Sequence, residues 1–274
     1  MDKYLVVGNP IAHSKSPDIH AEFARLTQQE MSYERFLGDL DGFETQVKDF
    51  FAKGGKGFNV TVPFKERAYA LCDVLSKRAQ VAGAVNTLLQ NQHGEIYGDN
   101  TDGIGMVRDI TVNNQQSMKG KRVLVLGAGG AVRGILEPVL AQQPSELVIA
   151  NRTVSKAQTL VDIFAADEFV ATKRAAMGFA EVEGEFDIII NGTSASLSGD
   201  LPPIPESVIG ANTWCYDMMY AKEPTVFLAW AEGLGAQGCD GLGMLVEQAA
   251  EAFTLWRNKR PETQALIKAM HAAL

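Results

Sequence analysis

The stretch Lys121-Arg122-Val123-Leu124-Val125-Leu126-Gly127-Ala128-Gly129-Gly130-Ala131 decides the fold. Its first six residues are short and almost wholly apolar, as a strand buried on both faces is. A glycine-rich turn follows and runs into a helical pattern. One glycine in such a turn takes a backbone conformation that a Cβ disfavours. Another lets a pyrophosphate approach the N–H groups of the helix start. Gly127 and Gly129 fit these two roles. The third glycine of the general fingerprint falls at Val132 and is missing, so Gly130-Ala131 is expected to supply the close packing instead. The plainer alternative is a tight strand–helix turn. The strand before the turn and a matching strand after it favour a dinucleotide loop formed by Gly127, Ala128, Gly129, Gly130 and Ala131.

Working outward, Glu146–Ala150 repeats the apolar strand, Phe186–Ile190 gives a third and Trp214–Asp217 a fourth. Helical segments separate them, which predicts βαβ units in a doubly wound parallel sheet. The second strand ends at Asn151-Arg152-Thr153, with Lys156 one turn on. An acidic residue at that point would hold the ribose hydroxyls of NAD. Arg152 instead suits the 2′-phosphate of NADP, through a fork of charge-assisted hydrogen bonds, and Thr153 adds a hydroxyl donor. The competing reading of Arg152 is an ordinary surface arginine.

The N-terminal third alternates strands and helices. Tyr4–Val7, Tyr33–Leu37 and Phe58–Val62 read as strands, and Asn91–Glu95 as a turn between two more. Ser16-Pro17 reads as a helix start with serine at the N-cap. Phe43, Val47, Phe50 and Phe51 form the stripe of a second helix, stopped by Gly54-Gly55. Residues 241–257 and 262–272 are helical. The seam lies near Asp102–Lys119, inside a helix. The expected architecture is α/β: a substrate-binding domain of residues 1–104 and 240–274, and a Rossmann-type NADP domain of residues 105–239.

The chain has 274 residues, 46% of them hydrophobic and 21% charged, with a formal net charge of −8. That balance is globular, and the acidic surface argues against nucleic-acid or anionic-membrane partners. Cys72, Cys215 and Cys239 form no CxxC pair and no disulfide framework, so a cytoplasmic setting is expected. No signal-peptide core or membrane-length apolar run is evident.

Three N-terminal segments are unusually polar. His13-Ser14-Lys15-Ser16-Pro17 sets two hydroxyls at a helix start, where a carboxylate binds well; Ser16 as a plain cap is the alternative. In Asn59–Lys65, Asn59 and Thr61 share one face, Val60 and Val62 face the core, and Lys65 lies past the strand end. Lys65 alone would pass for an exposed lysine. Asn86-Thr87 and Asp99-Asn100-Thr101-Asp102-Gly103 complete the set, with Asp102 otherwise a helix-dipole carboxylate. Together they describe a pocket for a small polyhydroxy acid. His13, His20, His93 and His271 have no metal-ligand spacing, and no metal is required. His13 reads as a loop histidine.

These motifs, with Gly83–Thr87, Asp217-Met218-Met219-Tyr220 and Asp240–Leu245, occur in an order that resembles the shikimate dehydrogenase family over nearly the whole chain. The resemblance implies NADPH-dependent reduction of 3-dehydroshikimate to shikimate. It implies Lys65 and Asp102 as the catalytic pair. It implies Ser14 and Ser16 on the substrate carboxylate, and Asn59, Thr61, Asn86 and Asp102 around the hydroxyls. Tyr220 and Gln248 close the pocket, and Met218 and Gly241 lie near the nicotinamide. It implies C-terminal helices packed back on the first domain, and a monomer or homodimer. One departure is Gly192 in Asn191-Gly192-Thr193-Ser194, where the family often has alanine; no functional effect is expected.

Lys65 as ammonium would protonate the forming alkoxide, and neutral Lys65 would take the proton in reverse. One competing reading is an NAD-preferring quinate/shikimate dehydrogenase, against which Arg152 argues. Another is a non-catalytic NADP sensor, which has no use for Lys65, Asp102 and the serine pair.

Overall fold

Tyr4, Leu5, Val6 and Val7 are all buried, and they carry β1 (Asp2–Gly8) between two neighbours in a six-stranded sheet. The computed structural model describes residues 1–164, 169, 171–195 and 199–274. By contact the chain forms two units, residues 1–105 with 246–268 and residues 106–245 with 269–274.

In the first unit, β1 leads to α1 (Ser16–Thr27), β2 (Met31–Leu37), α2 (Phe43–Ala52), β3 (Gly57–Val60), α3 (Lys65–Leu71), β4 (Val74–Leu75), α4 (Lys77–Ala82), β5 (Thr87–Gln90), β6 (Ile96–Asp99) and α5 (Asp102–Arg108). The sheet order is β2-β1-β3-β5-β6-β4. Strands β2, β1 and β3 are parallel, whereas β3, β5 and β6 run antiparallel. Leu5, Val7, Phe43, Val47, Phe58, Phe64 and Leu88 form its core.

Two local expectations are corrected. Strand β3 ends at Val60, and Phe64 N–H turns back to the Thr61 carbonyl at 3.0 Å. Val62 therefore leaves the strand and is 64% exposed rather than in the core. Ser16 is the first residue of α1 rather than its N-cap; Lys15 holds that position and its side chain makes no capping bond.

In the second unit, α5 continues as a single wide turn over Asp109–Asn113. There follow β7 (Arg122–Leu126), α6 (Gly130–Leu140), β8 (Glu146–Ala150), α7 (Val154–Ile163), β9 (Lys173–Met177), β10 (Phe186–Asn191), β11 (Ile209–Asp217), α8 (Val226–Gly233) and β12 (Gln237–Cys239). All six strands are parallel in the order β12-β11-β10-β7-β8-β9. That is the doubly wound order, whose ligands sit at the carboxyl ends of the strands where the order reverses, here between β7 and β10. Strands β4, β9 and β12, which the sequence did not announce, lie at sheet edges.

Helix α9 (Leu242–Arg257) is followed by α10 (Gln264–Ala272). Within the first unit, Trp256 donates to the Leu88 carbonyl at 3.1 Å, and Arg257 pairs with Asp2 and reaches the Tyr4 hydroxyl. No helix of the described residues is long and apolar enough to cross a membrane.

Candidate active site

Sheet register sets the polar cluster of the first unit. Asn59 on β3 stands opposite Thr87 on β5, and Thr87 stands opposite Asp99 on β6. Cross-strand neighbours on one face touch. Asn59, Asn86, Thr87 and Thr101 are buried. Asn86 Nδ2 donates to Asp102 Oδ1 at 2.8 Å, and Lys65 Nζ donates to Asp102 Oδ2 at 2.6 Å. The Lys65 and Asp102 side chains are 31% and 20% exposed, so the pair borders the solvent on one side.

Local structure aims each member. Phe64 is fully buried and stacked on Phe43 at 4.6 Å, which pins Lys65 to the first position of α3. Asp102 opens α5, and its N–H is held by Asn100 Oδ1 at 3.2 Å. A Cβ at Gly105 would meet Gln248 N at 2.6 Å, so the glycine brings α5 against α9. Gln248 Oε1 then lies 3.4 Å from Asn86 Nδ2. Gly8 lets Thr61 approach β1, since a Cβ there would meet Thr61 Cγ2 at 2.5 Å. Ser14 Oγ accepts from the Ser16 N–H at 3.3 Å, and Arg35 holds the Ser14 carbonyl.

Sequence reasoning passed over Tyr33, whose hydroxyl donates to Asn59 Oδ1 at 2.7 Å. Burial raises its pKa well above the usual tyrosine value, and the neighbouring Ser16 hydroxyl offsets part of that rise. The alternation Tyr33, Arg35 along β2 was the available signal. Gly105 was another, because a glycine inside a helix costs about 1 kcal/mol and needs a packing reason.

In the second unit, register aligns Leu126, Ala150, Asn191 and Asp217 in one row across four strands. Gly127, Asn151, Gly192 and Met218 are the residues that follow, side by side on the carboxyl edge. Gly127 has φ +105°, a conformation that a side chain disfavours, and Gly129 and Gly130 face open space where a Cβ would stand. No side chain caps α6, so its first N–H groups stay available. Thr153 occupies the N-cap of α7 without using its hydroxyl there. Arg152, Thr153 and Lys156 are exposed, and among the described residues Arg152 and Lys156 meet no carboxylate. Asn151 Nδ2 donates to the Thr153 carbonyl at 2.9 Å. An open glycine cradle, an uncapped helix and two uncommitted cations fit the phosphates of NADP.

The close packing expected from Gly130-Ala131 lies elsewhere. A Cβ at Gly192 would meet Val132 Cγ2 at 2.4 Å and Met218 Sδ at 3.1 Å. Gly192 thus answers the valine at the third fingerprint position, and an alanine there would require Val132 to move. Buried Asp217 anchors the next loop, accepting from Asn191 Nδ2 at 3.2 Å, Thr225 Oγ1 at 2.6 Å and the Met219 N–H at 3.0 Å. Met218 is buried, and a Cβ at Gly241 would meet its carbonyl oxygen at 2.3 Å. Tyr220 is half-buried, and burial with the neighbouring Asp240 raises its pKa.

Residues 6–88 match the model for the shikimate dehydrogenase substrate binding domain, 109–198 that for shikimate / quinate 5-dehydrogenase, and 241–271 that for the shikimate 5′-dehydrogenase C-terminal domain. A shikimate dehydrogenase (NADP(+)) of Alkalilimnicola ehrlichii is 54% identical over 98% of both chains. One from Herminiimonas arsenicoxydans is 55% identical over 100% of this chain and 98% of its own. Among solved structures, shikimate 5-dehydrogenase of Thermus thermophilus in complex with NADP(H) and shikimate matches with a TM-score of 0.84 and 31% identity, covering both chains fully.

Proposed function

The chain belongs to the shikimate dehydrogenase family, and we propose how its own residues divide the labour of reducing 3-dehydroshikimate to shikimate with NADPH. It is an NADP-dependent oxidoreductase acting on a CH–OH group, in the pathway to chorismate and the aromatic amino acids. The observation that carries the residue assignment is the 2.6 Å contact between Lys65 and Asp102 inside a shell of buried amides and hydroxyls.

Ser14 and Ser16 bind the ring carboxylate. Asn59, Thr61, Asn86 and Asp102 receive the hydroxyls, with Gln248 beside Asn86. Gly127–Ala131 and the start of α6 hold the pyrophosphate, while Asn151, Arg152, Thr153 and Lys156 hold the adenosine 2′-phosphate end. Met218 and Gly241 line the nicotinamide position. NADPH, when bound, supplies the hydride for the ring carbonyl carbon. Lys65 Nζ donates a proton to the carbonyl oxygen as it becomes an alkoxide and takes it back in the reverse direction. Asp102 holds the ammonium in place and accepts from the neighbouring hydroxyl. We assign the chain to the cytoplasm on its unpaired cysteines, and to a monomer or homodimer, which sedimentation decides.

The test follows reduced-nicotinamide absorbance with 3-dehydroshikimate. Lys65→Ala is expected to lower kcat about 10²- to 10⁴-fold. Arg152→Ala is expected to raise KM for NADP+ about tenfold or more, with little change for NAD+. Full turnover by the lysine variant would remove Lys65 from the chemistry. Equal effects on both cofactors would remove Arg152 from the 2′-phosphate.

A further inference from the structure

Two amides at the centre of the first unit's polar cluster are oriented by backbone groups that cannot reverse. The Thr101 N–H only donates, and it reaches Asn86 Oδ1 at 2.9 Å. The Asn86 carbonyl only accepts, and Asn59 Nδ2 reaches it at 3.2 Å. Those contacts settle which end of each amide is the donor. Asn59 Nδ2 also donates to Thr87 Oγ1 at 3.1 Å, and Thr87 Oγ1 donates onward to Asn86 Oδ1 at 2.9 Å. Asn86 Nδ2 continues to Asp102 Oδ1, and at the far end the Tyr33 hydroxyl supplies Asn59 Oδ1. Every bond points one way, from Tyr33 through Asn59, Thr87 and Asn86 to Asp102.

The start of the chain is held by His20. Its ring is stacked on Tyr33 at 4.1 Å and 10°. Its two nitrogens are the buried side-chain polar atoms without a hydrogen bond among the described residues. The imidazole thus meets Tyr33 as a flat face and leaves its hydroxyl to Asn59.

We propose that Thr87 is a positioning residue for the reaction: its buried hydroxyl joins Asn59 and Asn86 into one directional chain that presents both amides and the Asp102 carboxylate as a preorganised unit. This rests on reading Lys65 and Asp102 as the proton-transfer pair. Thr87 is 1% exposed and acts through its neighbours. A chain of aligned donors polarises along its length, and removing the middle link leaves one buried Asn59 Nδ2 hydrogen without its acceptor and cuts Asn59 off from Asn86 Oδ1, which keeps only its Thr101 donors.

Thr87→Val and Thr87→Ser decide the matter in the full chain, with kcat, KM for shikimate, KM for NADP+ and Tm measured together. The serine variant is expected within about threefold of the parent, and the valine variant down about tenfold or more in kcat/KM for shikimate with KM for NADP+ unchanged. Tyr33→Phe opens the same chain at its other end, so combining it with Thr87→Val is expected to cost less than the product of the single losses. An unaffected valine variant, a serine variant that falls as far as valine, or losses that multiply would overturn the proposal. If the valine variant does not fold, Tyr33→Phe decides: unchanged kcat/KM for shikimate overturns the chain, and a loss of about tenfold that spares NADP+ supports it. A fully active Lys65→Ala variant would instead strike the underlying pair, and these comparisons, made with Lys65 intact, keep the two failures apart.

Discussion

At the residue scale, His20 ties acid stability to the pocket wall. Burial lowers its pKa to about 3, and the nearby Asn59 amide offsets only part of that fall. An unfolded histidine titrates near 6.5, so between those values the unfolded chain holds a proton that the folded chain refuses. The contribution of His20 to stability is therefore whole above about pH 6.5 and is lost as the pH falls toward 3, at a slope approaching about 1.4 kcal/mol per unit. Urea unfolding at pH 7 and pH 5 is expected to show a loss of about 2 kcal/mol from this residue. His20→Phe keeps a flat ring against Tyr33 and is expected to lack that component. Parallel pH dependence in parent and variant would mean that His20 is protonated in the fold.

At the element scale, α4, β6 and α9 are clamped within the first unit. Arg78 gives a bidentate pair to Asp99 at 2.6–2.7 Å and reaches Glu251 on α9 at 3.1 Å. Burial opposes the charge, yet the two carboxylates hold the Arg78 pKa above its ordinary value. The Asp99 side chain is 2% exposed, so Arg78→Ala would strand a buried carboxylate and is expected to cost about 3–5 kcal/mol in denaturant unfolding. A loss under about 1 kcal/mol would show instead that water reaches Asp99. The apolar strands β7, β8, β10 and β11 were legible because burial on both faces leaves an unbroken apolar run. Strands β4, β9 and β12 were not, because they are sheet-edge strands with no fully buried position, and β4 and β12 are only two and three residues long. The glycine loop was legible as a motif, but its packing partner Gly192 lies one strand over and is found only through register. Thr87 was seen as polar, while its part in the chain depends on standing opposite Asn59. Val62 was misplaced because alternation was extended into the turn that runs from Thr61 to Phe64.

At the scale of the whole molecule, the two units are expected to answer ligands separately in hydrogen exchange. NADP+ alone should slow exchange at residues 127–132 and 151–156. Shikimate alone should slow it at 14–16, 59–65 and 86–87. Protection by NADP+ confined to the first unit would overturn the assignment of the cofactor loop. The discontinuity of the first unit has a further consequence during synthesis. Its sheet is made from residues 1–105, but Gln248, Phe253, Trp256 and Arg257 belong to it too. The ribosome delivers that closing helix about 140 residues later, roughly 7–30 s at ordinary elongation rates. Through that interval Tyr4, His20 and Phe23 lack the α9 rings that pack against them in the finished chain. The nascent first unit thus leaves those rings uncovered through the interval, and slowing translation between residues 105 and 246 should lengthen that exposure where slowing it before residue 105 should not.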